Sequence, residues 1–155
     1  MKSLICTFTT LLFLLFLQSC QENIAVNEMD EWFGFSFYAC ECSENCSVTF
    51  RMEEGQLFRR VDNSCNIDFD FQGELLSSED FDLAQTLLDE LPENLLSKNN
   101  EIFGCPDCGD WGGHTIALKA DGIEYHWQID NQTVDLPNWL LPFKEKLNIT
   151  LDELR

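Results

Sequence analysis

The chain has 155 residues, 45% of them apolar, with 28 acidic against 9 basic side chains and a formal net charge of −19. Its apolar content and 13 phenylalanines exclude a disordered or fibrous chain, and its length suits one domain around one core. The scarcity of Lys and Arg excludes nucleic acid as a partner, and electrostatic adhesion to anionic lipid with it, because both attractions scale with cationic side chains.

Lys2 precedes a 14-residue apolar run, Leu4 to Leu17. The run is shorter than the roughly 20 residues that span a bilayer and matches the h-region of a secretory signal. It ends in Leu17-Gln18-Ser19-Cys20, which resembles the lipobox of bacterial lipoproteins. The resemblance implies that residues 1–19 are a cleaved signal peptide, that Cys20 is acylated, palmitate included, and that residues 20–30 form a tether. A single domain over residues 31–155 would follow. The resemblance also implies a lipid-anchored protein of the bacterial cell envelope, placed at the outer membrane, with the membrane as a partner through its lipid. Ordinary cleavage near Ser19, leaving Cys20 as a thiol or disulfide partner, is the alternative. Cleavage removes Lys2 and no acid, so 8 basic and 28 acidic residues remain, a net charge of −20. A polybasic patch adds about 1 kcal/mol per Lys or Arg at an anionic surface. This chain has no such patch, so attachment falls to acyl chains at about 0.8 kcal/mol per buried CH₂.

Trp32 to Cys42 alternates Phe33, Phe35, Phe37 and Ala39 with smaller or polar neighbours, the period-two mark of a half-buried strand. Cys46 to Glu53 repeats the pattern with Val48, Phe50 and Met52 on one face. Glu54-Gly55 supplies a turn, and Gln56 to Val61 returns as the hairpin partner. After Asp62-Asn63-Ser64, Ile67, Phe69 and Phe71 alternate with Asp68 and Asp70 and predict a further strand, completing a β-meander. The period then lengthens to that of a helix. Ser77 or Ser78 is a natural N-cap, Glu79 and Asp80 suit the helix dipole, and Phe81, Ala84, Leu87, Leu88 and Leu91 form a buried stripe that Pro92 ends. A loop holding GCPDCGDWGG precedes Thr115 to Ala120, an Asp121-Gly122 turn, and Ile123 to Asp130, which sets Ile123, Tyr125, Trp127 and Ile129 on one face. A closing helix around Asn138 to Leu147, capped by Asn138, would put Pro142 in its first turn and Trp139, Phe143, Leu147, Leu151 and Leu154 inward. The order predicts an α+β fold: an antiparallel meander, a helix, a hairpin and a C-terminal helix, with the helices on one face of the sheet.

Cys42-Ser-Glu-Asn-Cys46 ahead of SVTFRMEEGQLFRRV, then ALKADGIEYHWQID and the Pro-initiated LPNWLLPF, follow an order similar to that of small bacterial lipoprotein domains of unassigned function. The arrangement also resembles the emfourin-type inhibitors of thermolysin-like metallopeptidases. The likeness covers about residues 40–150 as element order. It implies peptidase inhibition as one function but transfers no inhibitory residue.

Setting aside Cys6 and Cys20, six cysteines remain: Cys40, Cys42, Cys46, Cys65, Cys105 and Cys108. They allow 15 pairings, and an even count in an exported chain points to disulfides. Three readings compete for Cys105-Pro-Asp-Cys108. A disulfide tightening the loop needs no cofactor. A thioredoxin-like thiol pair needs a following helix, which Gly109, Gly112 and Gly113 break. A zinc site would use Cys105, Cys108 and His114, with Asp107, Asp110 or the pair Cys40 and Cys42 completing the ligands. Closing the Cys105–Cys108 loop is worth about 2 kcal/mol, and a twenty-residue Cys46–Cys65 loop about 3.3 kcal/mol. A meander sets Cys46 and Cys65 about 9.5 Å apart, beyond the roughly 7 Å that a disulfide spans. Either Cys65 lies on a loop that folds inward, or Cys40 or Cys42 is its partner.

No Ser or Cys carries a nucleophile signature, and His126, beside Glu124 on a polar strand face, reads as a surface residue rather than a base. The acid pairs Asp68/Asp70, Glu79/Asp80/Asp82 and Asp89/Glu90 match no EF-hand loop and read as solvated faces. The Asn-x-Ser/Thr sites at Asn45, Asn131 and Asn148 matter only in a host that glycosylates exported proteins, which the lipobox argues against. No catalytic residue is expected. The expectation is a non-enzymatic protein of binding type with an unidentified protein partner. Its contact surface would be the loop Asp110, Trp111, Gly112, Gly113 and His114, preorganised by a short disulfide. The alternative is that Trp111 packs into the core.

Overall fold

In the computed structural model, which describes residues 30–155, alternating apolar and polar side chains build the strands β1 (Trp32–Tyr38), β2 (Ser47–Glu53), β3 (Gln56–Asp62) and β4 (Glu74–Leu75). The helices α1 (Ser78–Asp89) and α2 (Glu93–Leu96), the strands β5 (Glu101–Phe103), β6 (Gly113–Ala120) and β7 (Ile123–Asp130), and the helix α3 (Leu141–Leu154) follow. The expected signal peptide, Cys20 and most of the expected tether lie outside the described residues.

The strands form one sheet in the order β4-β3-β2-β1-β6-β7-β5. The first three strands form the expected meander, and the DG hairpin pairs antiparallel to β1, so that Phe35 faces Phe50 on one side and Ile116 on the other. The pleat puts Phe33, Phe35, Val48, Phe50, Met52, Leu57, Ile116, Leu118, Trp127 and Ile129 on one face. There they bury against Ala84, Leu87 and Leu88 of α1 and Phe143, Leu147, Leu151 and Leu154 of α3. The fold is α+β with its helices on that face. Ser77 caps α1 through a capping box: its hydroxyl accepts from the Asp80 N–H at 3.2 Å, and the Asp80 carboxylate accepts from the Ser77 N–H at 3.1 Å.

Four expectations are corrected. The first strand ends at Tyr38, leaving Cys40 and Cys42 in a turn. Residues 67–71 form no strand, because their polar groups are claimed elsewhere. The Asp68 side chain accepts from the Asp70 N–H at 2.9 Å, the Phe69 carbonyl from Arg51 at 2.8 Å and the Asp68 carbonyl from Arg60 at 3.1 Å. The segment instead crosses the open face of the sheet as a strap, and pairing with β3 is left to Glu74 and Leu75. The closing helix starts at Leu141, after a turn in which the Leu140 N–H reaches the Pro137 carbonyl at 2.9 Å; Asn138 is no cap, although Pro142 does fall in the first turn. Trp139 therefore precedes the helix and packs edge-on against Phe103 at 5.6 Å. Finally, β5 joins β7 in parallel, so the sheet is antiparallel except at that edge.

Candidate functional site

The open face is built from small residues at its centre. Gly34, Ser36 and Ala117 leave room for the strap, and a methyl group at Gly34 would run into the Phe69 ring. Phe69 packs on Trp32 at 5.7 Å, with Ile67 beside it and the Arg51 guanidinium over Trp32 at 5.1 Å. The disulfide Cys40–Cys65, with Cα atoms 5.1 Å apart, ties the start of the strap to the end of β1. This answers the pairing question: Cys40 is the partner of Cys65, and Cys46 bonds Cys42.

The strap covers β1 and Ala117 of β6 and leaves the β7 side exposed as a trough. A cleft of about 430 Å³ lies between the strap and β5, where Tyr38, Asn66, Asn100, Ile102 and Gln128 contribute to its walls. A second, of about 320 Å³, lies beyond the strap against Arg51, Asp68, Asp70 and Glu124. The two share Ile67, Thr115 and His126 and are continuous. Asn99 shapes the floor by acting as a surrogate strand. Its side chain accepts from the His126 N–H at 3.0 Å and donates to the Glu124 carbonyl at 2.9 Å. The His126 ring nitrogen Nε2 meets the Glu124 carboxylate at 2.7 Å. Burial first, then the charges of Asp107 and Asp130, push the Tyr38 phenol above its ordinary range, so it stays a protonated donor at the head of the trough. The trough thus presents hydroxyl, carboxamide and imidazole groups between two isoleucines, an arrangement suited to recognising a hydrogen-bonding ligand.

The loop expected to be the contact surface is divided. Trp111 is 60% exposed and Asp110 is exposed, so Trp111 does not enter the core. Gly112 and Gly113 are buried, and a side chain at either would strike Tyr38. His114, 1% exposed, lies on the helix side against Phe37 and cannot share a surface with Trp111; the pleat sends it to the opposite face from Thr115. The two are linked only through Asn131, which meets His114 Nε2 at 3.3 Å and donates to the Trp111 carbonyl at 2.8 Å.

The acids of the CPDC region have structural work. Asp107 accepts from the N–H groups of Cys40 at 3.1 Å and Gly112 at 3.0 Å, and Asp130 from those of Cys105 at 2.9 Å and Gln132 at 2.8 Å. Cys105 and Cys108 are bonded to each other, in a glycine-rich turn that opens no helix. The proposed zinc ligands do not converge, because His114 points away from the sulfurs. Among the described residues no cluster of three or more His, Cys, Asp and Glu side chains is placed to hold a metal.

The trough residues Tyr38, Asn66, Asn100 and Gln128 escaped the sequence reading, since only the strap brings them together. The Asn99-Asn100 pair ahead of β5 was the one local hint. Comparison of the chain with protein-family models, with curated proteins and with solved structures finds no match.

Proposed function

We propose that this chain is a lipid-anchored, extracytoplasmic, non-enzymatic binding protein of the bacterial envelope, held at the outer membrane by acylated Cys20 and meeting its ligand in the strapped trough. The observation that carries the binding reading is the strap itself. A disulfide, an aromatic contact and two arginine–carbonyl bonds fix it over a face that remains open on one side. A prebuilt cleft of this kind lowers the ordering cost of binding. The address is supported by the Leu17-Gln18-Ser19-Cys20 motif and by the pairing of all six cysteines of residues 30–155 into disulfides, as an oxidising compartment favours.

Two measurements test it. Cells fed an alkyne palmitate should label the chain, and Cys20→Ser should abolish the label and release the protein from the membrane fraction; a labelled Cys20→Ser chain would refute the anchor. For binding, mono- and oligosaccharides, amino acids and short peptides are titrated into the nitrogen-15-labelled protein. The reading expects at least one class to move the side-chain signals of Asn66, Asn100 and Gln128 together, and it falls if none does.

A further inference from the structure

The wall that β5 builds narrows the chemistry of the ligand. The His126 N–H is taken by Asn99 and its carbonyl by the Asn100 N–H at 2.9 Å, so even-numbered residues of β7 turn their backbone groups toward β5. In the parallel register Ile102 lies beside Gln128, which therefore pairs with Glu101 and Phe103. The N–H and C=O of Ile102 point out of the sheet edge, away from the trough, and Ile102 is 59% exposed where Phe103 is buried. Its side chain shares the face of Gln128 and forms the outer wall of the trough.

A row of carboxamides between two apolar walls is complementary to one kind of ligand backbone. Asn66, Asn100 and Gln128 each offer a donor and an acceptor, and no intramolecular hydrogen bond among the described residues engages their side chains. A peptide in extended form presents the same alternation of N–H and C=O, with side chains spaced to meet Ile67 on one wall and Ile102 on the other. At the far end, Asp68, Asp70 and Glu124 line the second cleft and form no ion pair with Lys or Arg among the described residues, while the Arg51 that lines it with them is held by Glu53 and the Phe69 carbonyl. Residues 30–155 carry 8 basic and 26 acidic side chains, a net charge of −18, which favours a cationic partner over a second copy of this chain.

We infer that the trough binds an extended peptide segment of a partner protein, its backbone read by the three carboxamides, with a Lys or Arg side chain entering the acidic cleft. The inference rests on the trough being the binding surface.

The test uses the lipidated chain in detergent micelles and a pooled library of acetylated hexapeptide amides with one fixed Lys. The best binder is compared with its backbone N-methylated form and its Lys→Glu form. Both changes are expected to weaken binding at least tenfold. Gln128→Ala and Glu124→Gln, both at exposed positions, should each weaken it about fivefold with unchanged melting temperature. Three results would overturn the inference. Equal binding of the N-methylated peptide would mean that the backbone is not read. Carboxamide signals moved by an oligosaccharide and not by any peptide would keep the trough but refute its peptide. Silence of those signals toward peptides and oligosaccharides alike would remove both.

Discussion

Acidification should destabilise this protein through one residue, His114, even though 26 carboxylates in the described residues relieve mutual repulsion as they protonate. Burial between β1, β6 and α3, then the Lys144 ammonium, push its imidazole from 6.5 to about 4, against the hydrogen bond to Asn131 and the nearby Ser36 backbone; Arg155 adds a smaller push in the same direction as burial. Both states hold it neutral above about pH 6.5. Below that the unfolded chain takes a proton that the folded chain refuses, so stability falls as pH falls and levels off under about pH 4. Linkage between 6.5 and about 4 gives a loss of about 2 kcal/mol by pH 5 and about 3 kcal/mol by pH 4 relative to pH 7. With an m-value of about 1.5 kcal/mol/M in urea, the loss at pH 5 lowers the midpoint by roughly 1.3 M. The measurement is urea unfolding of the parent and of His114→Leu across pH 7 to 4. The variant has its own baseline, but its curve should lack this slope, and the difference between the two curves isolates His114 from the carboxylates. Parallel curves would refute the reasoning. A second check lies in Lys144→Met: with the neighbouring charge gone, the His114 ring resonances should titrate at higher pH than in the parent.

The strap supplies further tests. Cys40 and Cys65 are 25 residues apart and Cys105 and Cys108 only 3, so replacing each pair by serines should cost about 3.5 and about 2 kcal/mol respectively by chain entropy; guanidinium unfolding in which the short loop costs more would contradict the assignment. Gly34→Ala drives a methyl group into the Phe69 ring and should destabilise by about 1–3 kcal/mol. Adding Phe69→Ala should recover part of that, whereas strict additivity of the two would deny the contact. Trp111→Ala, at an exposed position, should change stability by no more than about 0.5 kcal/mol, and a larger loss would show that the indole supports the fold.

Most of the fold was legible because its elements announce themselves locally. The aromatic alternation of β1, the DG turn of the hairpin and the Ser77 cap each carry their own signal within a few residues. The three-residue β5 is too short for any period to emerge, and its parallel pairing with β7 follows from Asn99 and Asn100 reaching across to His126, a contact spanning 27 residues. Asn138 looked like a cap because asparagine usually is one; the turn closed at Pro137 instead delays the helix by three residues.

The strap shows why the site was harder to read than the fold. Its Ile67-Asp68-Phe69-Asp70-Phe71 alternation is a strand pattern, and the side chains do alternate: Ile67 and Phe69 turn inward while Asp68 and Asp70 turn out. What periodicity cannot express is which surface receives the inward face. A fourth strand beside β3 would have exposed Phe69 at the sheet edge, whereas Gly34 and Ala117 open a seat for it on the far face, beside Trp32. Those residues lie 35 positions before Phe69 and 48 after it, and they look in sequence like weak points in good strands. Two small residues in separate strands thus turn a sheet edge into a covered face, and the cover creates the trough. The same arithmetic explains the cysteines. Cys65 lies where the strap leaves β3 and bends toward β1, which brings its Cα within 5.1 Å of that of Cys40, one of the two partners left open once the meander put Cys46 out of reach.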